Sequence, residues 1–178
     1  ADADADELTL ENSGNVGLSL LTVATGESSI YFGNPGTNGQ KDGWIKYYHE
    51  SHSTTADRRC LSFKTGGGSE KMRLDSSGRL LIGHTETEAR HEAGDSALQV
   101  SGTGRDDTSI AIGRWSADAN PARLEFSKSR HATIGNNTAV QANDEIGHIN
   151  FGGNDGTRYL GAAYIKGIAT SPIADYDC

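Results

Sequence analysis

The sequence predicts an all-β protein built from short strands and hairpins in tandem modules. Apolar and polar residues alternate with a period of two over short runs, which is the pattern of strands that bury one face. Glycine, asparagine, aspartate and serine separate these runs and favour tight turns, since glycine and asparagine tolerate positive φ. Helical periodicity is almost absent. The best candidate, residues 85–93, is polar all round and is either a short exposed helix or a linker.

The alternation defines short strands along most of the chain. We predict strands at Leu8–Leu10, Val16–Val23, Ser28–Phe32, Trp44–Glu50, Cys60–Lys64, Lys71–Leu74, Arg79–Ile82, Ala97–Val100, Ser109–Arg114, Ala122–Ser127, Glu145–Phe151 and Tyr159–Lys166. Turn dipeptides such as Ser77-Gly78 and Asp155-Gly156 lie between them. Several hairpin turns at short spacing indicate an all-β architecture.

The segment Met72–Gly83 has the clearest hairpin pattern. Apolar residues alternate with polar ones on both arms, and a Ser-Ser-Gly turn at residues 76–78 reverses the chain. A lone hairpin is marginally stable in water, so its apolar face needs a partner. We predict that Leu74, Leu80 and Ile82 form an inter-chain core in which three copies point these residues at a common axis.

The sequence contains two copies of one module, and the second copy is incomplete. The matching segments are Ile30–Gly33 with Ile149–Gly152, Trp44–Lys46 with Tyr164–Lys166, Asp57–Cys60 with Asp175–Cys178 and, at a shorter spacing, Leu8–Leu10 with Leu98–Val100. Such repetition indicates a modular, elongated chain. We assign residues 1–7 to a linker or frayed tail, 8–84 to the first β module, 85–97 to a linker and 98–178 to the second module. The sequel of the first copy has no counterpart after Cys178, so we expect the parent polypeptide to continue.

The composition is lean for a self-sufficient core. Hydrophobic residues make up 34% of the 178 residues and aromatic residues 7%, with 23 glycines, whereas average soluble domains are about 45–50% apolar. We therefore expect neighbouring chains to complete the core. A net charge of −8 without any lysine–arginine cluster argues against a nucleic-acid partner. No apolar run approaches the ~18 residues of a membrane span, so we expect no membrane insertion.

No segment carries a recognisable catalytic, cofactor-binding or metal-binding motif. Asp2, Asp4 and Asp6 have the alternate spacing of a calcium loop, but the glycine and the glutamate that such a loop needs are missing. His49 and His52 stand three residues apart near a strand end, so their side chains should point to opposite faces. We predict no metal site and no cofactor.

A glycan-cleaving site would need two carboxylates roughly 5–10 Å apart in a groove. The candidate carboxylates are Glu125, Asp144, Glu145 and Asp155, and no local signature marks them. Pairing of carboxylates across the chains of an oligomer stays open as a source of such a site. Aromatic side chains could stack on sugar rings if exposed, although packing on strand faces is the favoured interpretation. These aromatic residues are Trp44, Tyr47, Tyr48, Trp115 and Tyr159.

Two segments resemble a known family. Met72-Arg73-Leu74-Asp75-Ser76-Ser77-Gly78-Arg79, running into Ile82-Gly83, is similar to the recurring segment of tail-fibre proteins of tailed bacteriophages. The segment Ile146–Thr157 (IGHINFGGNDGT), followed by Ala162-Ala163-Tyr164-Ile165, resembles the same family. The likeness covers most of residues 8–178.

The resemblance implies an elongated homotrimeric β-rich fibre of the phage virion, extracellular and involved in host attachment without catalysis. Its partners would be two further copies of the chain, other virion proteins and, as an open option, a host surface glycan. Two other functions stay open. One is a tailspike-like depolymerase of host surface polysaccharide, and the other is a capsid decoration fibre that contacts no receptor.

We predict that Cys60 and Cys178 are both free thiols, because they occupy equivalent places in successive modules and should lie beyond the ~7 Å reach of a disulfide. Alkylation under denaturing, non-reducing conditions should label both cysteines. Protection of the pair in that experiment would contradict the alignment of the two copies.

Overall fold

The computed structural model describes residues 10, 13–34, 41–66, 68–87 and 95–173. The chain divides into two compact units, which we call the sheet unit (residues 1–86 and 97–102) and the hairpin unit (residues 87–96 and 103–178). Both are built from β-structure, as the sequence predicts. The helical elements among the described residues are two 3-10 turns, Thr55–Asp57 and Asp106–Thr108.

The sheet unit contains one sheet of six strands in which each strand pairs with its neighbours in sequence. The strands are β1 (Glu27–Phe32), β2 (Gly43–Tyr48), β3 (Leu61–Lys64), β4 (Met72–Leu74), β5 (Leu80–Ile82) and β6 (Leu98–Val100). All neighbouring pairs are antiparallel except β5 and β6, which are parallel. Each of these strands overlaps a strand that we predict from the sequence.

The register places side chains of opposite character on the two faces of this sheet. The apolar face carries two cross-strand rows, Ile30, Ile45, Phe63, Met72, Ile82 and Val100 in one and Tyr47, Leu61, Leu74, Leu80 and Leu98 in the other. The polar face carries the row Ser29, Lys46, Ser62, Arg73, Leu81 and Gln99. This separation follows from the period-two alternation of the strands.

The polar face is the buried one. Arg73 is only 2% exposed and its cross-strand neighbour Leu81 1%. The 3-10 turn Thr55–Asp57 lies against the Arg73 guanidinium, which donates hydrogen bonds to the Ala56 carbonyl oxygen at 3.2 Å and to Asp57 Oδ1 at 2.8 Å. The Glu70 carboxylate binds the same guanidinium through both oxygens.

The apolar face is largely open. Leu74 is 43% exposed and Leu98 51%. In the described part of the chain only four hydrophobic residues are buried, Cys60, Leu81, Val140 and Ala169. Leu74, Leu80 and Ile82, the residues predicted for an inter-chain core, thus share this open face of the hairpin, whose predicted pairing is confirmed.

The turn of the β4–β5 hairpin explains the Asp-Ser-Ser-Gly-Arg sequence. Asp75 Oδ1 accepts hydrogen bonds from the backbone N–H groups of Ser77 and Arg79, both at 2.9 Å, and Asp75 Oδ2 accepts one from Arg79 Nε at 2.7 Å. Gly78 adopts a positive φ of 78°, which favours glycine. Burial raises the pKa of Asp75, but these hydrogen bonds outweigh it and hold the pKa below its ordinary value.

The hairpin unit contains one long antiparallel pair, β7 (Glu145–Asn154) and β8 (Tyr159–Ile168). Its turn uses the same chemistry as the β4–β5 turn. Asp155 Oδ1 accepts hydrogen bonds from the backbone N–H groups of Thr157 and Arg158, both at 2.8 Å. Gly156 has a φ of 96°.

The two sequence copies are also structural copies in their first two strands. Ile30 pairs with Ile45 in the sheet unit, and Ile149 pairs with Ile165 in the hairpin unit. One position further, Tyr31 pairs with Trp44 as Asn150 does with Tyr164. The strand pairs of the two copies thus share one register at these positions, while Asp175–Cys178 lies outside the described residues.

Three predicted strands are wrong. Val16–Val23, Ser109–Arg114 and Ala122–Ser127 form no strand, because a strand needs a row of backbone hydrogen bonds to a partner strand and these segments have none among the described residues. Leu8 and Thr9 of the first predicted strand lie outside the described residues. Of the candidate helix at 85–93, the described residues 85–87 are not helical.

Strand β6 begins at the predicted module boundary, residue 98. Strand β6, which would open the second module, instead pairs with β5 and belongs to the sheet unit. The pairing is close: a Cβ on Gly83 would lie 2.1 Å from the Ser101 carbonyl oxygen. The sequence gives no local signal for this contact, because parallel pairing joins segments that no short turn connects.

Substituting Arg73 with alanine should lower the free energy of unfolding by about 3–5 kcal/mol, because the Glu70 and Asp57 carboxylates would lose their partner in a largely buried position. Chemical denaturation measures this loss. The matched control is Arg105→Ala, since the Arg105 side chain is 98% exposed. Equal stability of the two variants would contradict the proposed weight of the Arg73 network.

Substituting Asp75 with asparagine should lower the free energy of unfolding by about 1 kcal/mol at pH 6, because the turn loses hydrogen bonds to a charged carboxylate. The folded pKa of Asp75 is lowered, so its contribution is present above the unfolded pKa of about 3.9 and is lost as the pH falls through the folded pKa. The stability gap between wild type and variant should therefore close on acidification. Urea titrations at stepped pH test this, with Asp106→Asn as the exposed control; a constant gap would refute it.

Candidate functional site

The histidines that the sequence placed near one another lie on opposite faces. His49 packs edge-on against Tyr47, with ring centroids 5.1 Å apart, while His52 packs against Tyr48 at 4.9 Å. Because Tyr47 and Tyr48 are successive strand residues, the two imidazoles cannot meet. Among the described residues no group of three or more potential ligands could hold a metal ion. Asp2, Asp4 and Asp6 lie outside these residues.

Three of the four candidate catalytic carboxylates are engaged in other ways. Asp144 receives two hydrogen bonds from Arg130, both at 2.7 Å, and Glu145 receives one from Lys166 at 2.6 Å. These contacts lower the pKa of both carboxyls, and backbone hydrogen bonds in its turn lower that of Asp155. A glycosidase's general acid needs a raised pKa. The structure therefore offers no carboxyl tuned for that task at these three positions.

A surface of lysine and aromatic side chains is the most distinctive polar arrangement in the sheet unit. We call it the lysine–aromatic surface; its members are Tyr31, Lys41, Trp44, Lys46, Tyr48 and Lys64. The register of β1, β2 and β3 positions them, because Tyr31 lies opposite Trp44 and Trp44 lies opposite Lys64. It occupies the end of the polar face away from Arg73.

Lys46 forms the buried base of this surface. Its Nζ donates to Glu27 Oε1 at 2.8 Å and lies 4.5 Å from the centroid of the Trp44 ring and 5.4 Å from that of Tyr48. Burial lowers the pKa of Lys46, but Glu27, Tyr48 and Tyr31 together raise it, so the pKa lies above its ordinary value and the ammonium stays charged. The ion pair with Glu27 and the attraction between the ammonium and the ring faces hold Lys46, Trp44 and Tyr48 in place.

Lys41 and Lys64 occupy the outer part of the surface. Lys64 Nζ lies 4.5 Å from the Trp44 ring centroid, and Lys41 Nζ lies 4.7 Å from that of Tyr31. Lys64 Nζ also donates to the carbonyl oxygen of Lys41 at 3.3 Å. Neither ammonium forms an ion pair with any residue that the structure describes. The arrangement thus presents two positive charges above two neighbouring rings.

The second copy of the module repeats part of this arrangement. Lys166 Nζ donates to Glu145 Oε1 at 2.6 Å and lies 4.8 Å from the Tyr164 ring centroid. This geometry reproduces that of Lys46, Glu27 and Trp44. Counterparts of Lys41 and Lys64 are not found beside it among the described residues.

An apolar groove lies at the β1–β3 end of the sheet unit. Its volume is about 470 Å³. Phe32, Ile45 and Phe63 line it, and Gly43 opens it because this residue carries no side chain opposite Phe32. The groove continues the apolar face toward the strand ends.

The interpretation of the aromatic residues as packing residues holds only in part. Trp44, Tyr48 and Tyr159 are half-buried, but Tyr47 is 38% exposed and Trp115 93%. The sequence reasoning missed the three lysines of the lysine–aromatic surface. The Trp-x-Lys alternation at residues 44–46 was the available signal, because residues two apart share a strand face.

Cys60 is a free thiol in the structure and is buried, which raises its pKa. Its Sγ contacts the Ala56 carbonyl oxygen at 3.6 Å. This finding agrees with the predicted free thiol at position 60. Cys178 lies outside the described residues.

The described residues include no helix with the length and hydrophobicity needed to cross a bilayer. The chain matches no protein-family model, no curated protein and no solved structure.

Proposed function

We propose that the chain is a self-associating segment of an elongated homotrimeric fibre of the phage virion, with a structural role in host attachment and no catalysis. The observation that carries this proposal is the open apolar face of the sheet unit. Eleven side chains in two cross-strand rows form it, ten of them aliphatic or phenyl side chains and one a tyrosine. Five of them are exposed and six are half-buried, and an apolar patch of this kind is typical of an interaction surface.

The exposure of individual side chains on this face supports association. Ile30 is 41% exposed, Leu74 43% and Leu98 51%. Contact with a neighbouring chain would remove these apolar side chains from water.

Unpaired backbone supports it as well. Segments 109–114 and 122–127 alternate apolar and polar residues, yet they share no backbone hydrogen bond with a described residue. Ile110 and Leu124, one from each segment, are exposed. Pairing with neighbouring chains would supply both the backbone partners and the cover for these side chains.

The resemblance of the Met72–Gly83 and Ile146–Thr157 segments to phage tail fibres gives the proposal its biological context. Three copies in register would bring Leu74, Leu80 and Ile82 to a common axis and leave the lysine–aromatic surface outward. The partners are then two further copies and the virion proteins at either end of the fibre. Repeated modules multiply weak contacts with a host surface through effective concentration.

The substitution Ile82→Asp should dissociate or unfold the assembly, because three carboxylates would enter the inter-chain core at once. Sedimentation velocity measures the change. The matched control is Ser76→Asp, which adds the same charge at an exposed position of the same hairpin turn and should leave the trimer intact.

A well-folded wild-type monomer at high concentration would refute the trimer. So would an Ile82→Asp variant that sediments like the Ser76→Asp variant. Incubation with host surface polysaccharide distinguishes the structural role from the depolymerase alternative, because only a depolymerase would shorten the polysaccharide chains.

A further inference from the structure

We propose that the lysine–aromatic surface binds a carboxylated saccharide, a chain of the hexuronic-acid class. The inference rests on the proposed attachment role and names the chemistry that the fibre would recognise. Stacking rings for the sugar and outward ammonium groups for the carboxylate occur together on this surface.

The rings supply a platform for sugar stacking. Tyr31 and Trp44 are directly opposite each other on β1 and β2, so their side chains lie side by side. Tyr31 is 38% exposed. A sugar that stacks on its ring would bury this exposed part, and burial of an aromatic ring is favourable. Trp44 is held in place by a hydrogen bond from its Nε1 to Ser62 Oγ at 3.1 Å. A platform fixed in this way loses little conformational entropy when a ligand stacks on it.

The outward lysines supply the charge complement. Lys41 and Lys64 lie over these rings and have no carboxylate partner among the described residues. Their present contacts are exposed cation–π contacts, worth only about 0.5–1 kcal/mol. A ligand carboxylate offers a charge-assisted hydrogen bond, which is stronger. The ammonium groups can therefore swing from ring to ligand and free the ring faces for stacking.

The surface also selects where the carboxylate binds. Glu27 already holds the Lys46 ammonium and accepts a further hydrogen bond from the Tyr31 hydroxyl at 3.3 Å. The positive charge at that end is therefore paired, and the Lys41–Lys64 end is the favourable position for a ligand carboxylate. In a chain of net charge −8, this concentration of lysines stands out as a site for an anion.

Isothermal titration of the full chain with oligogalacturonate tests the proposal. The matched neutral ligand is the methyl-esterified oligomer, which keeps the sugar ring and lacks the charge. We expect binding of the acid, weakened by salt, and little binding of the ester. Polyglutamate serves as the third ligand, because it carries carboxylates without sugar rings. A surface that recognised charge alone would bind polyglutamate as well as oligogalacturonate.

The double variant Lys41→Gln/Lys64→Gln should lose about tenfold or more in affinity. Arg105→Gln removes one positive charge from an exposed position in the hairpin unit and should bind as wild type does. Tyr31→Leu should weaken binding while Tyr31→Phe retains it, since stacking needs the ring and not the hydroxyl. Circular dichroism of each variant checks that the sheet is intact.

Absence of oligogalacturonate binding, equal binding of the ester or of polyglutamate, or unchanged affinity in the double variant would each overturn the proposed site. Sedimentation of the same samples keeps the two proposals apart. A trimer that does not bind would reject the site alone, and a monomer that binds would reject the trimeric fibre alone.

Discussion

Burial of the Arg73 guanidinium is the constraint on which the sheet unit depends. A charge in this position must be paired, so Glu70 and Asp57 have to be in place whenever Arg73 is. Asp57 belongs to the 3-10 turn, and the guanidinium also binds a carbonyl oxygen of that turn. The network therefore fixes the connection between β2 and β3 over one face of the sheet.

The Arg73 network determines which face of the sheet is covered more than it raises the stability of the fold. A buried ion pair is weak evidence for stability, because an apolar replacement of similar volume is often as stable. Here it determines which face the chain covers with its own backbone. Around Arg73 the polar face is closed by residues of the same chain, and the apolar face is left for another surface. This is the reverse of the arrangement in an ordinary small sheet protein, where the apolar side is covered first.

The sequence could predict local features because they depend on neighbours in the chain. The Met72–Gly83 hairpin follows from alternation and from an Asp-Ser-Ser-Gly turn, and each of these acts over a few residues. The parallel pairing of β6 and the burial of Arg73 depend on contacts between distant segments. The alternation of apolar and polar residues predicts instead that the Arg73 side chain faces solvent. The lysine–aromatic surface was missed for the same reason, since its members come from three strands.

The order of strands in the sheet unit has a consequence for how the chain acquires its structure. Every strand pairs with the strands before and after it in sequence, so no pairing has to wait for a strand that lies further along the chain. A sheet with this strand order can form by adding one strand after another. During synthesis each strand can therefore dock as it emerges, before the rest of the polypeptide exists, and a long chain of such modules avoids the slow search that distant strand pairing would impose.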